Sequence, residues 1–177
     1  MRIMIASDIH GSEYFCRKLL EAYKNEGAQR LLLLGDILYH GPRNDLPDAY
    51  NPKAVIELLN KYNLKATFNI NSELLGRKGM LIRENKRIAH YKVHASDVRD
   101  LYQGHEVAVH TLTHPRLPDI ADDNEVIRQV EQDRLNLSQL VGYDVVGMAY
   151  PCGGVNNDDR VAKLIKENTI LIPISIL

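Results

Sequence analysis

The sequence predicts an α/β fold with a mainly parallel sheet of about six strands joined by crossover helices. Three observations carry that expectation. Short β-rich apolar runs alternate with amphipathic stretches along the chain, the order that produces parallel sheets. Runs such as Leu31–Leu34 are apolar throughout, as in strands buried on both faces. Asp8, His10, Asp36, Asn71, His110, His114 and Tyr150 all follow the ends of such runs. Ligands of open parallel sheets bind beyond the carboxyl ends of the strands.

Arg2–Ala6 is the first strand and ends in the polar turn Ser7-Asp8-Ile9-His10-Gly11. Ser12 has N-cap chemistry for a helix with Phe15, Leu19, Leu20 and Tyr23 at helical spacing and Gly27 as its stop. Leu31–Leu34 is a strand ending at Gly35-Asp36, and Ile37–Asn51 is a long loop carrying Gly41, Pro42 and Pro47. Asn51-Pro52 opens a helix with Val55, Leu58, Leu59 and Tyr62 on one face. Ala66–Ile70 is a strand ending in Asn71-Ser72. The basic, weakly patterned residues 76–92 read as a solvated loop or helix face, with phosphate or sugar contact as the alternative. A short helix, Ala95–Tyr102, stops near Gly104, and the strand Glu106–Val109 runs into His110. Asn124–Val141 is the longest helix, with Val126, Val130, Leu137 and Leu140 on its apolar face. Val145–Ala149 is a strand ending at Tyr150-Pro151, Asp158–Glu167 the last helix, and Ile170–Leu177 a final apolar strand.

Composition bounds the function. The chain has 177 residues, 45% of them apolar and 25% charged, which excludes disorder or a fibrous repeat as a description of the whole. Twenty-two Lys and Arg against 23 Asp and Glu leave a formal charge of −1, so no bulk electrostatics favours nucleic acid or an anionic membrane. Two cysteines, Cys16 and Cys152, are too few for a disulfide scaffold or a four-cysteine zinc site. The N-terminus turns polar after six residues, too early for a signal peptide, and no apolar run approaches a membrane span. A cytoplasmic protein is expected.

Two constellations could carry chemistry. Asp8-x-His10 after one strand and Gly35-Asp36 after the next combine carboxylate oxygen with imidazole nitrogen, a set suited to Mn, Fe or Zn. Two metals bridged by such a carboxylate could clamp an in-line phosphoryl transfer. The simpler alternative is that Asp8 caps the next helix and His10 is a surface residue. His110-Thr111-Leu112-Thr113-His114 follows a strand and precedes Pro115 and Pro118, so a strand end plus loop is expected rather than a helix. Paired neutral imidazoles ligate zinc or cobalt but need a carboxylate to complete a catalytic set; the alternative is a pair of hydrogen-bonded loop histidines.

The opening MRIMIASDIHGS, followed by LLLLGDILYHGPRNDLP and Tyr50-Asn51-Pro52, resembles the calcineurin-like metallophosphoesterases, in particular their small bacterial phosphodiesterases. By that resemblance Asp8, His10 and Asp36 fall on metal-ligand positions. The family's Gly-Asn-x-Asp turn, isolated His and Gly-His-x-His are absent after residue 36. The stretches LLNKYNLKATFNINSELLG, GHEVAVHTLTHPRL and GMAYPCGG resemble the carbohydrate deacetylases with NodB homology. That resemblance implies that His110 and His114 are metal ligands, that Tyr150-Pro151-Cys152 lines the acetyl end, and that the Cys152 backbone N–H helps form an oxyanion hole. Ala149 stands where many members have Arg, the paired-aspartate motif is absent, and the late Leu-x-His is missing.

The expected organisation is therefore composite. Residues 1–57 are phosphoesterase-like, 58–168 deacetylase-like and 169–177 an unassigned apolar tail, packing as one domain. The fold implied is a partial deacetylase barrel with a phosphoesterase-derived βαβ edge. The expected function is metal-dependent hydrolysis of carbohydrate N-acetyl groups, weak or lost because motifs are missing. The alternatives are a phosphodiesterase fragment and an inactive fusion or truncated product. Zinc is expected at His110 and His114, with Mn or Fe an option for Asp8, His10 and Asp36. Asp36 is expected to replace the missing deacetylase aspartate, with Asp8 as surrogate base and Tyr150 and Cys152 beside the substrate. The partner is an acetylated carbohydrate or a small phosphodiester, with no nucleic acid and no membrane.

Overall fold

The computed structural model describes residues 1–39, 46–83, 86–174 of the chain. Parts of three expected segments lie outside these residues: 40–45 of the long loop, 84–85 of the basic stretch and 175–177 of the final strand. The chain divides into two compact units, Met1–Lys65 with Met80–Ala89, and Ala66–Gly79 with His90–Leu177. None of the described helices is long and apolar enough to cross a membrane.

In the first unit, β1 (Ile3–Ala6) pairs in parallel with β2 (Arg30–Leu33), Ile3 opposite Arg30 and Ala6 opposite Leu33. The crossover is α1 (Glu13–Asn25), whose N-cap Ser12 accepts from the Phe15 N–H through its hydroxyl oxygen. The second helix, α2 (Pro52–Lys61), is capped by Asn51, which accepts from the Ala54 N–H, with Pro52 in the first turn where a missing N–H costs nothing. Ile9, Cys16, Leu20, Val55 and Leu58 form its core. Gly11 is obligatory here. Its φ is +75°, and a Cβ would lie 2.7 Å from the Tyr50 ring.

The second unit is a four-stranded parallel sheet in the order β3 (Thr67–Ile70), β6 (Glu106–Val109), β7 (Gly147–Ala149), β8 (Ile172–Ile174). Val107, Ala108 and Val109 are successive buried residues, the pattern of a strand covered on both faces. Helices α3 (Val98–Leu101), α4 (Asp123–Val141) and α5 (Asp159–Asn168) supply Val98, Val126, Val130, Leu137, Val161 and Ile165 to its core.

All six expected strands form, and all their pairings are parallel. Among the described residues they do not form the single six-stranded sheet expected: β1 pairs with β2, and the remaining four make a separate sheet. The basic stretch is also corrected. It contains β4 (Lys78–Arg83) and β5 (Lys86–Tyr91), which pair together. The ladder continues at their base through Gly76 N–H to Val93 O and Lys92 N–H to Arg77 O.

Candidate metal centres

The first unit gathers Asp8, His10 and Asp36. One ligand atom from each lies within 4.8 Å of the others. The arrangement follows from the backbone beyond β1 and β2. After the strands end, Leu34 N–H still bonds Ala6 O, Asp8 N–H bonds Gly35 O, His10 N–H bonds Asp36 O and Gly11 N–H bonds Ile37 O. The two loops thus leave the sheet zipped side by side, which brings a carboxylate from each strand end to one place. Asp8, His10 and Asp36 all have positive φ (58°, 49° and 41°). Left-handed backbone is uncommon for side-chain-bearing residues, though Asp and His tolerate it better than most. His10 Nε2 is 3.4 Å from Asp8 Oδ1, and its Nδ1 lies 2.6 Å from Tyr39 O. A carbonyl only accepts, so Nδ1 carries the hydrogen in that contact and Nε2 faces the Asp8 carboxylate. The Ser7 hydroxyl donates to the other Asp8 oxygen. Two exposed carboxylates and one imidazole make a chemically sound set for a hard divalent ion.

The second unit gathers His110, His114, Tyr150 and Cys152. The His110 and His114 rings are 4.9 Å apart at 70°. His110 Nδ1 donates to Ala149 O at 2.8 Å, which leaves Nε2 unprotonated. Burial pushes the His110 pKa down to about 4, and the Lys92 and His114 charges push the same way, so the ring is neutral at pH 7. His114 is lowered too, chiefly by partial burial of its ring and then by Lys92.

Helix α4 shapes this turn. Asp133, fully buried, accepts from Ser72 N–H at 2.7 Å and from His110 N–H at 3.1 Å. Burial raises its pKa to about 6. Gln129 accepts from Leu112 N–H through its carbonyl and from Thr113 N–H through its side chain. Asn71, at the end of β3, donates to His110 O and Thr111 O. Asn156 donates to Cys152 O at 2.9 Å and so pins the Tyr150–Cys152 turn. Cys152 has φ +68°, and its Sγ is 3.8 Å from His114 Nδ1. Tyr150 is buried, and burial followed by the Asp158 charge raises its pKa.

The structure thus brings together the two sets that the sequence singled out, each within its own unit. Asp36, expected to serve His110 and His114, has its carboxylate grouped with Asp8 and His10. Asp133 and Gln129 were not singled out. The available signal was two polar residues at positions 129 and 133 within the apolar register Val126, Val130, Leu137.

The polysaccharide deacetylase family matches residues 41–170. Phosphodiesterase YfcE from Escherichia coli K12 is 52% identical over 61 residues, 34% of this chain and 33% of that protein. The chain thus spans about a third of the length of the curated relatives it matches. Among solved structures, IcaB from Ammonifex degensii superposes with a TM-score of 0.67 at 11% identity, over 99% of this chain and 84% of that one. BC0361, a polysaccharide deacetylase from Bacillus cereus, gives 0.62 at 15% identity over 95% and 55%. At these identities the likeness shows the fold. With residues 41–170 matched and a YfcE-like stretch covering a third of its length, the chain belongs to the polysaccharide deacetylase family, whose members are hydrolases, and carries a segment similar to a bacterial phosphodiesterase.

Proposed function

We propose that this chain is a metal-dependent hydrolase of carbohydrate N-acetyl groups, of weak turnover, with the ion held by His110 and His114. The observation that supports this best is the His110 ring, fixed by the Ala149 carbonyl and kept neutral by burial, with a second imidazole beside it. A divalent ion there supplies Lewis-acid polarisation of an acetamide carbonyl and activation of water. The Cys152 backbone N–H, on a turn held by Asn156, is the proposed donor to the developing oxyanion, and Tyr150 walls the acetyl end. With His110 at about pKa 4, the pair serves as ligands and not as a general acid at neutral pH. The paired-aspartate motif that supplies the base by family resemblance is absent before the Leu58 helix, and loss of one acid–base group costs about 10²–10⁴-fold in rate.

The Asp8, His10 and Asp36 cluster favours a second reading: a site for Mn or Fe that acts on a small phosphodiester. Metal analysis combined with assays on an acetylated chito-oligosaccharide and an aryl phosphodiester tests both readings. Acetate release that is lost in His114→Ala and kept in Asp36→Ala supports the first. Phosphodiester cleavage with the opposite sensitivity supports the second. Neither activity, with no bound metal, defeats both.

A further inference from the structure

Helices α1 and α2 start side by side. Their N-caps are joined through the Ser12–Tyr50 bridge and the Asn51 N–H bond to Gly11 O. Both then run away from the strand ends that carry Asp8 and Asp36, α1 over 13 residues and α2 over 10, which is roughly 15–20 Å. They also stop in the same way. Gly27 and Asn63 take left-handed backbone (φ 59° and 53°). The next residues close the helix ends, Ala28 N–H on Tyr23 O at 3.3 Å and Leu64 N–H on Leu59 O at 2.9 Å. The chain turns off at both ends and leaves an open recess of about 660 Å³. Sites for small ligands span about 300–1,000 Å³.

The end of α1 lines the recess with Tyr23, Lys24 and Ala28, and the end of α2 with Lys61 and Tyr62. No carboxylate lines it; Glu21 lines a narrower cleft that shares Lys61 and Tyr62 and also contains Arg17. Arginines elsewhere on the helices are paired, Arg17 with Glu13, Arg128 with Glu125 and Arg134 with Glu131. Lys24 and Lys61 have no ion-pair partner among the described residues. Lysine in a last helical turn complements the helix dipole, which accounts for one cation per helix but not for two phenol rings sharing the same recess. We propose that this recess binds a small phosphate monoester that carries a flat ring, of the nucleoside monophosphate class. The proposal is independent of both metal centres. A monoester is close to a dianion at neutral pH and so matches two ammonium groups, and lysine binds phosphate as a point charge. The flat ring lies against the Tyr23 and Tyr62 rings, whose faces stack on any aromatic base.

Calorimetric titration of the full chain with adenosine 5′-monophosphate tests this. A chelator is present throughout, so that no metal draws phosphate to Asp8, His10 and Asp36. Saturable binding is expected, weakened about tenfold in Lys24→Gln and again in Lys61→Gln, both exposed side chains. Adenosine and inorganic phosphate each offer half of the ligand and are expected to bind about tenfold or more weakly than the monophosphate. Amide chemical-shift changes in the wild-type chain are expected to centre on residues 23–28 and 61–64, a measurement that holds whether or not the variants fold. No binding of the monophosphate, or equal binding by wild type and the double variant, overturns the proposal. Inorganic phosphate that binds as tightly as the monophosphate also overturns it, because the tyrosines then contribute nothing. So do shift changes centred on residues 8–10 and 36, which place the ligand at the other end of the helices.

Discussion

The two candidate metal-binding clusters are built on opposite principles. In the first unit, two carboxylates and an imidazole lie on open loops beyond a two-stranded sheet, and Asp8 and Asp36 are exposed. In the second, the ligands follow a four-stranded sheet with a continuous buried core, and buried side chains of α4 hold their backbone. The first site depends on zipped loops and the second on packing. Mutations should therefore separate ligand geometry from stability in the first unit and couple them in the second.

The largest expected effect is on packing. Leu112, wholly buried within the His110–His114 turn, should cost about 2–5 kcal/mol when cut to Ala. Leu32 on β2, 49% exposed, should cost within about 0.5 kcal/mol for the same change. Urea unfolding of the two variants measures the gap, and equal losses would break the contrast.

The next effect is a pair of opposed titrations in metal-free protein. His110 drops from about 6.5 unfolded to about 4 folded, so its contribution is lost as pH falls through that window. Asp133 rises from 3.8 to about 6, so its contribution is full below 3.8 and lost as pH rises through 6. Each is worth on the order of 3 kcal/mol, with opposite sign over nearly the same range. Their combined effect should be nearly level between pH 4 and 6. In His110→Gln only the Asp133 contribution remains, and stability should fall as pH rises. Denaturation at a series of pH values checks this, and a variant that follows the wild-type profile would contradict it.

A smaller effect separates capping from packing in the first unit. Ser12 is buried, accepts from Phe15 N–H and donates to Asp48 O at 2.6 Å. Ser12→Ala should cost about 1–2 kcal/mol, read as a lowered unfolding midpoint. Ser12→Gly should recover part of that loss if the backbone conformation at the cap matters.

Much of this was legible in the sequence, for identifiable reasons. The apolar run Val107–Val109 marked a strand because buried parallel strands need no polar face, whereas Leu31–Leu34 marked a strand but not its burial on both faces, since Leu32 and Leu34 are exposed. Ser12 and Asn51 marked two helix starts because cap chemistry is local. His110 and His114 were placed on a loop because Pro115 and Pro118 bar a helix. The division of six strands into sheets of two and four was not legible, since an apolar run does not name its neighbour. The β4–β5 pair is not legible because its basic residues read as solvent-facing loop, and strand pairing there is set by the partner strand. Asp133 and Gln129 are not legible because a polar residue on the buried face of a helix becomes informative only when its backbone partners are known.

The smallest expected effect is the sharpest probe of the contrast, because its sign depends on metal. Asp36 stands at φ 41°, a conformation glycine adopts without steric cost, and its carboxylate shares a small space with that of Asp8. Without metal, Asp36→Gly relieves both backbone strain and like-charge repulsion and gives back chain entropy to the unfolded state. The net should be a gain of about 0–1 kcal/mol. Asp36→Asn removes the charge and keeps the backbone demand, so it isolates the repulsion. With Mn(II) in excess the order should reverse, because an ion bound only by the folded wild type stabilises it by RT ln(1 + [Mn]/Kd) and the variants lack the ligand. Thermal melts with and without Mn(II) measure the crossing. A wild type that Mn(II) leaves unshifted, or an Asp36→Gly variant that gains as much from the ion, would show that the three zipped ligands are neighbours by backbone geometry and do not bind an ion together.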